Sequence, residues 1–167
     1  MTEPSAPLRI RQAVRALLIT PDQHVLLVRF EFPDRTVWAL PGGGLDPGED
    51  HLTALRRELI EEVGLHDPVI GAHVWNREHI IAFEDGNWDG QRDRFHLVEA
   101  ATRFEPAPGL SWEQLRAERL HELRWWHIDE VDAEIERGGS FAPGRLGALL
   151  RQLVTDGPPS APIDTGV

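Results

Sequence analysis

A glycine-rich turn followed at once by an acidic helix constrains the fold of this chain more than any other feature. The segment GGLDPGEDHLTALRRELIEEVGL occupies residues 43–65 and contains Glu58, Glu61 and Glu62. At spacings of three and four residues these acids are neighbours on a helix, where like charges repel by roughly 0.2–0.5 kcal/mol per pair. A helix selected only for solubility would intersperse lysines. The crowding therefore indicates that something positive binds between the carboxylates.

The periodicity of this segment predicts a helix over residues 49–63. Gly64 follows directly, at the position where a left-handed helix cap favours glycine. One face of the helix is apolar over an arc of about 80°, which is typical of a face packed on a core. The apolar residues predicted to form that face are Leu52, Leu55, Leu59 and Val63.

Short apolar runs separated by turn residues predict a sheet around this helix. Strands are predicted at 13–19, 24–30, 38–40, 68–75, 78–83, 94–104 and 121–128, and helices at 128–138 and 143–154, with a short helical stretch within 105–120. Pro21-Asp22-Gln23 joins the first two strands as a hairpin, and Pro41 with the following glycines stops the third. Because most strands follow one another without crossover helices, we expect a mixed sheet with helices on its faces.

Length and composition predict one domain. A chain of 167 residues with 41% hydrophobic residues is long and apolar enough to bury a core. We expect the domain to span residues 9–154, after a flexible arm at 1–8. The Pro-, Gly- and Ser-rich residues 155–167 are predicted to form a disordered tail.

Charge and cysteine content exclude several classes of function. The chain has no cysteine, and therefore no disulfide, no thiolate zinc site and no cysteine nucleophile. Its formal net charge of −11 opposes a nucleic-acid backbone, so a phosphate-bearing ligand would need a mediating cation. No apolar run approaches the roughly 20 residues of a membrane span. We expect a cytoplasmic protein with a small-molecule partner and without a nucleic-acid or membrane partner.

The spacing of the acidic segment resembles the Nudix box, G-x5-E-x7-R-E-U-x-E-E-x-G-U, where U is aliphatic. Each fixed position is matched, by Gly43, Glu49, Arg57-Glu58-Leu59, Glu61-Glu62 and Gly64-Leu65. The resemblance implies an α/β fold of the Nudix type, an α/β/α sandwich with a mixed central sheet. It also implies a hydrolase that uses Mg²⁺, or alternatively Mn²⁺, to cleave a nucleoside diphosphate linked to another group.

The box acids suit a metal site because Mg²⁺ takes oxygen ligands in near-octahedral geometry. Glu58, Glu61 and Glu62 project to one side of the predicted helix and together can hold one to three divalent ions. The resemblance adds the carbonyl oxygen of Gly42 as a further ligand.

Three other residues are predicted to organise the site rather than to react. Gly43 allows close approach of the backbone. Glu49 opens the helix, where the helix dipole favours an acid. Arg57 lies four residues before Glu61 and can pair with it, and the resemblance implies that Arg57 also holds Glu49.

Hydrolysis needs a base that takes a proton from water. The candidates within the box are Glu58 and Glu61. Outside the box we favour Glu122, which begins the ELRWW stretch after a variable loop, with Glu118 and Glu113 as alternates.

The substrate is less constrained by sequence. Candidates to stack on a base are Trp75, Trp88 and Trp112, and candidates to contact phosphate are Arg29, Arg35, Arg77, Arg92 and Arg94. Ordinary or modified nucleoside triphosphates are the leading class. ADP-ribose and nucleotide sugars come next. The resemblance implies that ADP-ribose enzymes carry a proline at a set distance past the box, and residues 71–83 contain none, which disfavours ADP-ribose. The alternative function is a module that senses a nucleotide without hydrolysing it. A homodimer is one option for the assembly.

Overall fold

A computed structural model describes residues 2–167 of the chain. The strands are β1 (Ile10–Ile19), β2 (His24–Glu31), β3 (Thr36–Ala39), β4 (Gly42–Gly44), β5 (Ile70–His79), β6 (Gly90–Glu99), β7 (Leu120–His127), β8 (Phe141–Ala142) and β9 (Ile163–Asp164). The helices are α1 (His51–Glu58), α2 (Trp112–Ala117), α3 (Ile128–Glu136) and α4 (Leu146–Asp156), and α1 continues as a π-helical segment over Leu59–Val63.

The strands form one mixed sheet in the order β8-β3-β2-β1-β6-β5-β9. The centre of this sheet is a long parallel pair, β1 with β6, in register from Ile10 opposite Gly90 to Ile19 opposite Glu99. Strand β4 pairs antiparallel with β1, and β7 pairs antiparallel with β2. The predicted hairpin is present, although β1 and β2 pair only next to their turn, at Ile19 opposite Val25.

Helices cover both faces of the sheet, which confirms the predicted α/β/α sandwich with a mixed sheet. Alternate β1 residues Val14 and Leu18 pack with Leu55 and Leu59 of the acidic helix. On the other face, a core that includes Leu17 contains apolar residues of α3 and α4. The longest helix, α4, has 11 residues, and no helix within residues 2–167 is both long and apolar enough to cross a membrane.

The acidic helix largely follows its sequence prediction. Asp50 caps its start by accepting a hydrogen bond of 2.7 Å from the N–H of Thr53, and Gly64 ends it with a φ of 78°. Leu55, Leu59 and Val63 are buried as predicted. Leu52 was predicted wrongly for the core face, because it lies in the first turn and is 45% exposed.

Three strand predictions need correction. The two strands predicted at 68–75 and 78–83 are one strand, β5, whose pairing with β6 continues to His79 opposite Gln91. Strand β6 lies at 90–99 instead of 94–104. The glycines expected only to stop a strand form strand β4 themselves, because their backbone groups pair with β1.

The C-terminal residues are ordered in the structure, in contrast to the predicted disordered tail at 155–167. Strand β9 adds to the free edge of β5, with Ile163 opposite Trp75, and Thr165 is fully buried. The N–H of Thr165 donates to the carbonyl oxygen of Asn76 at 2.9 Å. Composition predicted no local structure, but an unpaired sheet edge supplies backbone partners to any chain that reaches it.

Candidate active site

The glycine strand β4 fixes the position of the backbone beside the acidic helix. Gly42 has a φ of 142°, and a Cβ atom there would lie 2.1 Å from the carbonyl oxygen of Val14. A side chain is therefore excluded both by backbone conformation and by space. The next residue, Gly43, faces the helix, since a Cβ atom there would lie 2.6 Å from Oε1 of Glu58.

Arg57 connects the glycine strand, the loop and the helix. Its Nε and Nη2 donate to the two carboxylate oxygens of Glu49, each at 2.9 Å, and Nη2 also donates to the carbonyl oxygen of Gly44 at 3.2 Å. Its Nη1 donates to Glu58 at 3.0 Å and to Glu61 at 3.3 Å. The hydrogen bonds from Arg57 and from the N–H of Asp46 lower the pKa of Glu49 to about 2. Arg57 thus contacts both Glu49 and Glu61, and the organising role of Arg57 and Glu49 stays a prediction.

Two carboxylates of the site are buried. Glu62 is 3% exposed and Glu58 is 7% exposed. The N–H of Gly42 donates to Oε2 of Glu62 at 3.0 Å. Burial raises the pKa of both groups, and repulsion from Glu58 raises the pKa of Glu62 further. Two acids held this way favour a bound cation, because a cation offsets both the lost hydration and the repulsion.

The residues fit a divalent metal, although their side chains are not arranged as a finished coordination shell. Among residues 2–167 no three His, Asp or Glu side chains stand close enough together to hold a metal ion. Arg57 explains part of this, because it already pairs with Glu58 and Glu61. The carbonyl oxygen of Gly42 accepts a hydrogen bond of 3.2 Å from Arg15, which leaves it one further lone pair.

The acid outside the box that lies near the cluster is Glu118, an alternate in the sequence analysis. Burial and repulsion from Glu61 raise the pKa of Glu118, and Glu118 in turn contributes to the raised pKa of Glu62. Glu122, the favoured candidate, instead pairs with Arg29 across the β2–β7 ladder at 2.9 Å. These electrostatic interactions make Glu118 a stronger candidate than Glu122 for an additional acid of the site.

A cavity of about 590 Å³ adjoins the site and has both charged and aromatic walls. Glu118 and Arg15 line it, which connects it to the carboxylate cluster. The other residues important here are Arg11, Arg77, Phe30, Phe32 and Phe83. A larger groove of about 870 Å³ lies elsewhere, lined by apolar residues such as Val69 and Val154, and it shares no lining residue with the box.

Sequence analysis missed three residues of this region: Arg11, Arg15 and Asp93. Arg15 donates to Asp93 at 3.0 Å, and both side chains are largely buried. A signal was present in the sequence, because Arg15 interrupts the apolar run AVRALLI and Arg11 lies four residues earlier, on the same strand face. An arginine at a core position needs a buried partner or a ligand.

The tryptophans and most arginines singled out by sequence lie outside the cavity wall. Trp75 is a core residue, 1% exposed, and Trp112 lines a separate small cavity with Glu122. Arg92 pairs with Glu78 on the surface. Of the five arginines proposed as phosphate contacts, Arg35 and Arg77 line the cavity.

The structure is an α/β/α domain in which a glycine strand and a buried pair of acids lie beside an acidic helix. Comparison with known proteins identifies its family. A model described as NUDIX domain matches residues 9–143. An RNA pyrophosphohydrolase of Rickettsia bellii is 28% identical over 128 residues, which cover 72% of this chain and 77% of that protein. The chain therefore belongs to the Nudix hydrolases.

Two further similarities agree with this assignment. Human 8-oxo-dGDP phosphatase NUDT18 is 41% identical over 69 residues, which cover 38% of this chain and only 21% of that protein. A NUDIX hydrolase from Nitrosomonas europaea has the same fold, with a TM-score of 0.64, 20% identity and coverage of 90% of this chain and 91% of that one.

Proposed function

We propose that this Nudix hydrolase cleaves a diphosphate bond in a nucleoside diphosphate linked to another group, with Mg²⁺ as its cofactor. Nucleoside triphosphates, ordinary or modified, are the leading substrates. The observation that carries the proposal is the buried pair Glu58 and Glu62 against the glycine strand, beside a cavity that contains arginines and aromatic rings. The relative named RNA pyrophosphohydrolase supports the same bond type.

The metal would be held by Glu58, Glu61 and Glu62, with the carbonyl oxygen of Gly42 as a further ligand. When bound, Mg²⁺ supplies charge neutralisation on the diphosphate and a water of lowered pKa. Arg57 keeps Glu58 and Glu61 on one side of the helix, through contacts of 3.0 and 3.3 Å. Gly43 leaves the space that the Glu58 carboxylate occupies.

Glu118 is the residue that we propose to take the proton from the attacking water. Its raised pKa brings it closer to neutrality, where a general base works best. Glu58 and Glu61 remain alternative bases within the box. Glu122 is retained only as a comparison, since its carboxylate is paired with Arg29.

A substrate panel tests this function. Purified protein is incubated with nucleoside triphosphates, nucleoside diphosphates, ADP-ribose and a nucleotide sugar, each with Mg²⁺ or Mn²⁺, and phosphate and pyrophosphate release are measured. We expect turnover of at least one triphosphate and its loss in Glu62→Gln. Glu136→Gln, which changes an exposed acid of α3, is the matched control. Absence of turnover with every compound would instead support a nucleotide sensor.

A further inference from the structure

Three neighbouring strands place a set of charged residues on one face of the sheet. In the parallel β1–β6 pair, Arg11 lies opposite Gln91 and Ala13 opposite Asp93. In the antiparallel β5–β6 pair, Arg77 lies opposite Asp93. Because side chains alternate along a strand, Arg11 and Arg15 share the face that Arg77 and Asp93 occupy.

The charges on this face do not balance internally. Asp93 accepts from Arg15 at 3.0 Å, while Nη1 of Arg77 is 3.7 Å from the other oxygen of the same carboxylate. One acid thus faces two guanidinium groups. Within residues 2–167, the buried Nε of Arg77 has no hydrogen-bond partner. A buried donor without a partner is costly and indicates a group that binds there.

Arg11 has no carboxylate as a hydrogen-bond partner in the part of the chain that the structure describes. Its Nη1 donates to the neutral Gln91 at 2.9 Å. Burial and repulsion from Arg15 lower the pKa of Arg11, yet an arginine stays charged at neutral pH. Glu58, Asp93 and Asp85 raise its pKa through their charge alone, without a hydrogen bond to its side chain.

The position of Arg11 links the cavity to the carboxylate cluster. Its guanidinium lies against Gly44, where a Cβ atom would come within 2.4 Å of Cζ. The same guanidinium lies 5.8 Å from the centre of the Phe83 ring. The charge of Glu58 also raises the pKa of Arg11, so the guanidinium lies within electrostatic range of the carboxylate cluster.

Three other charged residues of the cavity wall, Asp34, Arg35 and Glu84, form ion pairs. Arg35 pairs with Asp34 at 3.5 Å, and Arg119 pairs with Glu84 at 2.7 Å. Arg11 and Arg77 differ from these residues, because Arg77 shares Asp93 with Arg15, and Arg11 donates to the neutral Gln91.

We propose that Arg11 and Arg77 form an anion subsite for the phosphate chain, and that Arg11 selects a nucleoside triphosphate over a nucleoside diphosphate linked to a sugar. The inference rests on the proposed function and deepens it. A guanidinium donates two parallel hydrogen bonds to a phosphate, whereas a sugar at this position offers only neutral hydroxyl groups. The aromatic side chains Phe30, Phe32 and Phe83 are left to contact the base.

The first test measures anion binding without turnover or metal. Inorganic tripolyphosphate is added to the full chain in excess EDTA, and the melting temperature is recorded. Wild type should be stabilised, since a ligand of the folded state raises the melting temperature. Arg11→Gln should lose most of this shift. Arg137→Gln, which removes an exposed arginine paired with Glu134, is the control and should keep it.

The second test measures selectivity. For ATP, Arg11→Gln should raise KM about tenfold or more while kcat changes much less, as expected for the loss of a charge-assisted hydrogen bond. For ADP-ribose, the KM of the same variant should change little. Arg11→Lys should recover part of the ATP affinity, because lysine retains the positive charge but lacks the two parallel N–H donors of a guanidinium.

The outcomes separate the two proposals. If wild type hydrolyses no compound, the proposed function fails, and the tripolyphosphate melts still decide whether the anion subsite exists. Equal stabilisation of wild type and Arg11→Gln by tripolyphosphate would overturn the subsite. Equal losses of ATP and ADP-ribose affinity in Arg11→Gln would overturn the selectivity, even if the anion binds.

Discussion

The backbone N–H of Gly42 donates a hydrogen bond of 3.0 Å to Oε2 of Glu62, and this contact joins the glycine strand to the acidic helix. The carboxylate is 3% exposed, so its negative charge has lost nearly all of its hydration. One backbone dipole favours the ionised form but does not replace that hydration, and the pKa of Glu62 remains raised. The contact positions the acid while leaving its charge available to a cation.

The metal-free protein should become less stable as the pH rises, through the ionisation of Glu62. The folded pKa is raised above the ordinary value of 4.5. Its contribution is therefore fully present below about pH 4.5 and is lost as the pH rises through the folded value. Glu62→Gln lacks this ionisation, so its melting temperature in EDTA should exceed that of wild type by a margin that grows toward neutral pH. A constant difference would show that Glu62 does not titrate as described.

Mg²⁺ should raise the melting temperature of wild type at neutral pH. A cation that binds only the folded state stabilises it by mass action. Glu62→Gln removes one charge at nearly constant shape and should lose most of the Mg²⁺-induced shift and most of the hydrolysis. Glu136→Gln should keep both. If Glu62→Gln retains the shift and the activity, the crowded carboxylates are not the metal site.

Glu118→Gln and Glu122→Gln should separate the two candidates for the base. Besides burial, repulsion from Glu61 raises the pKa of Glu118, and repulsion from Glu118 contributes to the raised pKa of Glu62. Glu122 is instead paired with Arg29. We expect Glu118→Gln to lower kcat by about 10²–10⁴-fold, the usual contribution of a general base, with a smaller effect on KM. Glu122→Gln should lower kcat much less. Steady-state kinetics that show the opposite order would restore Glu122 as the base.

Gly42→Ala should destabilise the fold more than a substitution at an ordinary left-handed glycine. Gly86, with a φ of 73° and no atom within 4 Å of a built Cβ, serves as the comparison. Gly86→Ala should cost about 1–2 kcal/mol, the conformational penalty alone. Gly42→Ala should cost more, because its Cβ would also overlap the carbonyl oxygen of Val14. Denaturant unfolding measures both, and equal losses would show that β4 shifts freely.

The acidic helix and the contacts of Arg57 and Glu49 were predictable from sequence because they are local. Arg57 reaches Glu58 and Glu61 within one helical turn, and Glu49 lies only eight residues before it. The additional acid was predicted less well. Glu118 and Glu122 lie four residues apart, and only the pairing of β7 with β2 shows that the latter faces Arg29.

The cavity arginines could not be placed from sequence because three distant strands bring them together. Arg11, Arg77 and Asp93 belong to β1, β5 and β6, whose parallel and antiparallel pairing has no local signature. The structure of the C-terminal residues was predicted wrongly for a similar reason. Their composition reports local preference, while their order depends on an edge of β5 that is far away in the chain.

Removal of residues 162–167 should destabilise the domain. This deletion removes β9, exposes the core beside Ile163 and removes the carbonyl oxygen of Thr165 that accepts a hydrogen bond of 2.9 Å from Arg145. Full burial of an isoleucine is worth about 1.5–3 kcal/mol, and even part of that for the partly buried Ile163 should lower the melting temperature measurably. Deletion of residues 2–6, which are exposed and form no helix or strand, is the control and should leave the melting temperature unchanged. Equal melting temperatures for the two truncated proteins and the full chain would show that strand β9 contributes nothing to stability, in agreement with the tail that composition predicts.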